Sequence, residues 1–458
     1  MTATTGLSNA LQSRHVAMIS IGGIIGAGLF VGSSAAIAAV GPAVIVSYIA
    51  AGGLILLSMR MLGELALANP GVGFFTDYLR KVLGHGWGFV GGWLYWYFWM
   101  IVVAVEAIAG AIILNHTWIA APVWLIGLVL LACLTVVNLF SARSYGEFEF
   151  WFSSIKVVAI VAFIVITGAY VLGLTPAASP GLSNLVQAGG FAPFGALSAL
   201  AGVATVIFSL TGAEITTVAA VESKEPARAI ASMTTTLTVR VVLFYVLSIF
   251  LIVCTVAWNT IVPGTSPFVS ALVKIGIPGA ALIMNVVVLT AVLSCLNSGL
   301  YVTSRVLFAL AANGDAPQAL VALTRRKVPA RAILTGSAFG YAALIVSVVS
   351  PTGVFSFLVN ASGAAMLLLY LMIGVAQIRH RAVMSPADVE NLSLKMWVYP
   401  WLSYATVAGI VVVLTAMVFI PDLASQLYTT LLFVALLWAA YAALRRRRPY
   451  PTRASADA

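Results

Sequence analysis

Along the chain, runs of about 20 apolar residues, the length needed to cross a bilayer, alternate with short breaks of proline, glycine or charge. Taken as helices, the runs fall at 16–40, 43–69, 86–114, 122–140, 152–173, 197–221, 236–258, 280–311, 331–349, 354–378, 398–420 and 424–444. The pattern predicts an all-α integral membrane protein with twelve transmembrane helices.

Two of these runs are interrupted from within. The first contains "ISIGGIIGAGLFVG" (19–32), with Gly22, Gly23, Gly26, Gly28 and Gly32 crowding its middle. Each costs about 1 kcal/mol against alanine in a helix. The sixth contains "FSLTGAEITT" (208–217), where Ser209, Thr211, Gly212, Glu214, Thr216 and Thr217 replace apolar side chains. Four uninterrupted runs follow each interrupted one. Helices one to five therefore mirror helices six to ten as a five-plus-five inverted repeat, the architecture of many secondary transporters.

The glycine stretch has two rival explanations. Gly22 with Gly26, and Gly28 with Gly32, fit the GxxxG helix-packing spacing. The run GAGLFVG suggests a nucleotide loop, but its spacing is GxGxxxG and no βαβ unit surrounds it. The matching break in the sixth run favours an unwound binding segment, tolerated where irregular backbone lines a cavity.

The expected organisation is a cytoplasmic tail (1–15), a first repeat (16–173), an extracytoplasmic loop (174–196) and a second repeat (197–378). A cytoplasmic loop (379–397), two further helices (398–444) and a basic cytoplasmic tail (445–458) complete it.

Composition agrees with membrane insertion: 62% of residues are hydrophobic and 8% charged, against roughly 25% charged in globular proteins. The net charge of +10 does not imply nucleic acid, because 22 of the 23 Lys and Arg flank alternate ends of the spans and only Lys274 falls outside. By the positive-inside rule both termini are cytoplasmic. The RRRR run at 445–448 reads as a stop signal attracted to anionic headgroups. The polar first fifteen residues and the absence of a small-residue cleavage site predict no cleaved signal. The expected location is the cell membrane.

Cys133, Cys254 and Cys295 lie far apart without CxxC spacing and read as small core residues. The four histidines form no HExxH pattern. No metal, cofactor or obligate protein partner is expected, and no nucleophile and base gather as an enzyme would need.

Of the thirteen acids, Glu64, Glu106 and Glu214 fall within spans. A charge at bilayer depth costs at least about 2.5–3.5 kcal/mol, so such groups face a cavity or a partner. Glu106 is the deepest. It reads either as a protonated carboxyl bonded to a neighbouring helix or as a cavity carboxylate that meets an amine or carries a proton. Glu64 lies near a span end, one turn from Arg60, and reads as half of a structural pair. Lys156, five residues past Trp151, either snorkels to the headgroups or serves a buried function.

These residues resemble the amino acid–polyamine–organocation superfamily, and more closely its bacterial amino acid transporter family, over nearly the whole chain. The motifs that carry the resemblance are "SIGGIIGAGLFVGSS", "GPAVIVSY", "MRMLGELA", "SYGEFEFWFSSIKVVAI", "FSLTGAEI", "SCLNSGLYVTSRVLFALAANGDAP" and "LKMWVYPWLS". Within the family, "WLYWYFW", "SCLNS" and "GEFEFW" look most like 4-aminobutyrate permeases.

The resemblance implies proton-coupled uptake of a small amino acid by alternating access, driven by the proton gradient. It places the substrate carboxylate on the backbone of Ile25, Gly26, Ala27 and Gly28. It places the amine on carbonyls of Ile24, Phe208, Ser209 and Thr211, beside Gly212, with Phe208 as an aromatic gate. Glu106 matches a cavity-facing position of the third helix, and Gly299, near Ser298, a substrate-facing position of the eighth, so the three are implied to line the substrate site. Lys156, Glu106 and Glu214 are the implied proton-coupling groups, Lys156 taking the place of a sodium ion in sodium-driven relatives. Ala27 departs from relatives with serine there. Rival readings are a permease for neutral or aromatic amino acids, an amine exchanger, and a non-transporting amino acid sensor.

Overall fold

The computed structural model describes residues 25–69, 75–140, 143–212, 214, 241–325 and 328–447. The N-terminal tail, the start of the first span, most of the sixth span beyond its break, the start of the seventh and the end of the basic tail lie outside the described residues.

Among the described residues every regular element is helical. In chain order, the first span runs through a π-helical turn, Gly28–Gly32, into α1, Ser33–Val40. Helix α2 is Val44–Ala68, α3 Phe75–Leu83, α4 His85–Thr117, α5 Val123–Phe140 and α6 Arg143–Val171. Helix α7 is Gly195–Leu210, α8 Ser248–Thr255, α9 Pro267–Ile275 and α10 Ala280–Ala312. Then come α11 Ala330–Val346, α12 Pro351–Val383, α13 Pro386–Glu390, α14 Trp401–Val418 and α15 Pro421–Arg447.

Among the described residues, eight helical segments are long and apolar enough to cross a membrane, and three shorter apolar helices join them. One of the eight, Gly28–Ala68, is a 41-residue run. At 1.5 Å per residue it is about twice the hydrocarbon thickness, so it has to turn. It turns at Gly41, whose φ of +75° is followed by Pro42. Helices α3, α9 and α13 are too short to stand out in the sequence as 20-residue apolar runs.

Helix α4 is the axis of the bundle. Its apolar window is 89% buried, against 22% for α5 and 17% for α15, so α5 and α15 carry the outward faces. It packs against α10, α12, α5, α11 and α3. A helix hydrophobic on all sides is what such a position requires. With no hydrophobic drive between helices in lipid, small residues set their approach. Gly91 and Gly92 receive Leu79 and Leu310, and Gly202 of α7 receives Val40 and Ser47.

Cys254 and Cys295 are buried, but Cys133 is exposed on α5. That corrects its reading as a core residue: on an outward helix a small apolar thiol meets hydrocarbon instead of protein. Glu64 also differs from expectation. It is buried and pairs with Arg381 at 2.7 Å, and it accepts from Gln377 Nε2 at 2.8 Å and the Met396 N–H at 2.6 Å. Arg60 turns instead to the Lys395 carbonyl at 2.9 Å and the Trp397 ring. Helical spacing offered the nearer partner, but α12 and the loop after it supply a fuller set of donors.

Candidate functional site

The two interrupted spans meet. A Cβ on Gly28 would lie 2.6 Å from Ser209 Cα and 3.3 Å from the Phe208 carbonyl. Only glycine permits this approach of the first span to the end of α7. Four residues on, Gly32 faces the Phe208 ring.

At the first break the helix begins at Ala27, so the leading N–H groups have no partner within their own helix. The Ala27 N–H donates to Glu106 Oε1 at 3.1 Å and Oε2 at 3.2 Å. Glu106 is 1% exposed, and the Cys295 thiol hydrogen-bonds the same carboxylate. Gly26 lies against Cys295 Sγ and Glu106 Oε1, leaving no room for a side chain. A carboxylate at the positive end of a helix is stabilised both by the N–H and by the aligned peptide dipoles.

The sixth span breaks after Leu210. Thr211 is extended at ψ 164° and Gly212 takes φ +105°, a left-handed conformation that favours glycine. The hydroxyls fold back on the helix end: Ser209 Oγ donates to the Val206 carbonyl at 2.7 Å and Thr211 Oγ1 to the Phe208 carbonyl at 2.9 Å. Glu214, fully buried, accepts from the Gly212 N–H at 3.0 Å. It also accepts from the Tyr95 hydroxyl at 3.2 Å and the Tyr370 hydroxyl at 3.4 Å. One carboxylate therefore closes each break.

Tyr95 and Glu106 stand on one face of α4, since eleven residues make just over three full turns, or about 16 Å. That single face reaches both breaks. Helix α10 opposes it. Lys156 of α6 is fully buried and does not snorkel; its ammonium donates to Ser294 Oγ at 2.9 Å, beside Cys295. It lies within electrostatic reach of Glu106.

The structure thus brings together Gly26, Ala27, Gly28, Glu106, Phe208 and Ser209, with Lys156 linked through α10. Ile25 is fully buried beside them and Ser298 is buried on α10. Gly299 packs on Val103 and Trp99 of α4, and Ile24 lies outside the described residues. Cys295, Ser294, Tyr95 and Tyr370 escaped the sequence reading as site residues. A signal existed for two of them: a tyrosine buried in an apolar span needs a partner for its hydroxyl. Among the described residues no group of His, Cys, Asp or Glu is placed to hold a metal.

Comparison with known proteins bears on this arrangement directly. The family model for "Amino acid permease" matches residues 15–450. The chain is 45% identical over 445 residues to the gamma-aminobutyric acid permease of Bacillus subtilis, covering 97% of this chain and 95% of that one. It is 44% identical to the gamma-aminobutyric acid permease of Escherichia coli, covering 91% and 89%. An aromatic amino acid transport protein of Corynebacterium glutamicum is 36% identical over 89% of each chain. The apolar helices, the paired breaks and these matches agree: the chain is a multi-pass membrane protein that belongs to the amino acid permease family, transporters of amino acids and not enzymes.

Proposed function

We propose that this permease carries 4-aminobutyrate into the cell in symport with protons, by alternating access and without a cofactor. The observation that carries the substrate assignment is identity of 44–45% to proteins named as gamma-aminobutyric acid permeases, over nine-tenths of the chain. The proposed architecture is twelve spans in the cell membrane, helices one to five and six to ten forming an inverted repeat, with both termini cytoplasmic.

The geometry suggests how such a zwitterion is held. Its carboxylate needs the N–H groups at Ala27 and Gly28, and Glu106 already sits on the first of them. Two carboxylates cannot share that donor without repulsion. Substrate entry therefore displaces Glu106, neutralises it with a proton, or both. A displaced Glu106 is free to meet the amine, which the three methylenes of 4-aminobutyrate carry away from the carboxylate. Carbonyls of Phe208 and Ser209 offer further acceptors. Lys156 and Glu214 are the remaining titratable groups through which protonation can bias the two broken helices.

The test is uptake of labelled 4-aminobutyrate into proteoliposomes holding only this protein, with and without an inward proton gradient, in competition with phenylalanine and neutral amino acids. Gradient-driven accumulation, suppressed most by unlabelled 4-aminobutyrate, is expected. Stronger competition by phenylalanine would move the substrate to the aromatic class, and gradient-independent exchange would remove proton symport.

A further inference from the structure

The end of α15 carries a feature that transport of an amino acid does not use. Trp438, Tyr441, Ala442, Arg445 and Arg446 line an open groove of about 430 Å³. Residues 438, 441, 442 and 445 follow helical spacing, so they form one face. The floor is aromatic and fixed in place. Trp438 stands edge-on to Trp87 at 5.1 Å and to Tyr441 at 5.9 Å, and His85 stacks on Tyr441 at 5.7 Å. A Cβ on Gly86 would come within 2.6 Å of Trp438, so the first turn of α4 lies directly against this floor.

Depth along α15 gives the groove its chemistry. From Trp438 to Arg445 is about 10 Å of helix, more than the roughly 5–7.5 Å of one interfacial layer. Indole and phenol favour that layer, and the guanidiniums beyond them stand at headgroup level. Arginine matches a phosphate with paired N–H donors. Aromatic below and doubly cationic above is complementary to a phosphodiester headgroup with its glycerol and first acyl carbons. It does not match a free amino acid, whose amine two arginines would repel.

We propose that this groove binds the headgroup of an anionic membrane phospholipid, with its phosphate on Arg445 and Arg446 and its glycerol backbone on Trp438 and Tyr441. The occupant would also bear on the junction of α3, α4 and α10. The His85 ring under Tyr441 faces Asp315 at 3.7 Å, and Asp315 pairs with Arg80 of α3. Asn313 in turn donates to Asp77 at 3.1 Å.

The test is retention of phosphatidylglycerol by the purified full chain in native mass spectrometry, with phosphatidylcholine of equal chain length as reference. This readout does not depend on which amino acid is carried. Phosphatidylglycerol is expected to bind at least tenfold more tightly than phosphatidylcholine. Arg445→Gln with Arg446→Gln should erase that preference, weakening phosphatidylglycerol far more than phosphatidylcholine, whose choline already offsets its phosphate. Arg331→Gln, an exposed arginine bonded to the Ala319 carbonyl, should stay within twofold of the parent. Should the double variant not fold, Tyr441→Ala retains both charges and should weaken both lipids several-fold. Equal binding of the two lipids would overturn the proposal, as would an equal loss in Arg331→Gln or no loss in Tyr441→Ala. So would displacement by millimolar inorganic phosphate, which would make it a free-anion site.

Discussion

The Ala27 N–H and the Glu106 carboxylate, 79 positions apart in sequence, are joined at 3.1 and 3.2 Å in the middle of the bundle. The first span begins its helix there, and the buried axis helix α4 supplies the carboxyl group that accepts from the helix end. The position lets a substrate carboxylate compete for the same donor.

Replacing Glu106 by glutamine tests that competition. The amide keeps the size and one acceptor oxygen but cannot ionise. Gradient-driven accumulation of 4-aminobutyrate should fall at least tenfold, while binding to the detergent-solubilised protein stays within about threefold, because the anion site is no longer contested. A purely structural role would lower binding and Tm together. Accumulation at the parent level would remove Glu106 from coupling.

The contact of the two breaks rests on the missing side chain of Gly28. In Gly28→Ala the new methyl would meet Ser209 Cα at 2.6 Å, a backbone atom that cannot rotate away. Overpacking of this kind costs about 1–3 kcal/mol, so a lowered Tm and loss of transport are expected. Gly53→Ala is the matched control. Gly53 lies within α2 with nothing within 4 Å of its would-be Cβ, and alanine there should be neutral or stabilise by up to about 1 kcal/mol. Equal transport by both variants would show that the close approach is dispensable.

Several spans were legible because apolar length is a strong, local signal. The expected 86–114, 122–140 and 280–311 meet helices His85–Thr117, Val123–Phe140 and Ala280–Ala312. The breaks were legible for a related reason, since Gly26, Gly212 and Glu214 violate that same pattern. Partners were not. Nothing local links Glu106 to Ala27, Lys156 to Ser294 or Glu64 to Arg381, because each pair joins different helices and depends on rotation and depth. Cys295 illustrates the limit: in sequence it is an apolar residue in an apolar run, and only packing sets its sulfur against Gly26.

The Glu64 cluster makes this failure of local inference measurable. Removing one member of a buried ion pair costs about 3–5 kcal/mol, because the other charge is left without compensation. Arg381→Ala and Glu64→Ala should each lower Tm strongly, and the double variant should lose less than their sum. Arg60→Ala, the neighbour that helical spacing suggests, should cost no more than about 1 kcal/mol. A larger loss for Arg60 than for Arg381 would restore the local pair.

Lys156 makes a second, separable prediction about coupling. Its ammonium is fully buried, bonded to Ser294, and within electrostatic reach of Glu106 across the seam formed by α10. Glutamine at 156 can still donate to Ser294 but leaves the Glu106 charge without its cationic neighbour. Lys156→Gln should therefore abolish the response to a proton gradient while leaving 4-aminobutyrate exchange measurable, and it should lower Tm. Adding Glu106→Gln removes the orphaned charge, so the double variant should recover stability relative to Lys156→Gln alone. A double-mutant cycle should give a coupling of at least about 1 kcal/mol, within the range for residues in one network. Strict additivity in that cycle, together with an intact gradient response in Lys156→Gln, would separate the two residues and leave Glu214 as the remaining coupling acid that the family resemblance implies.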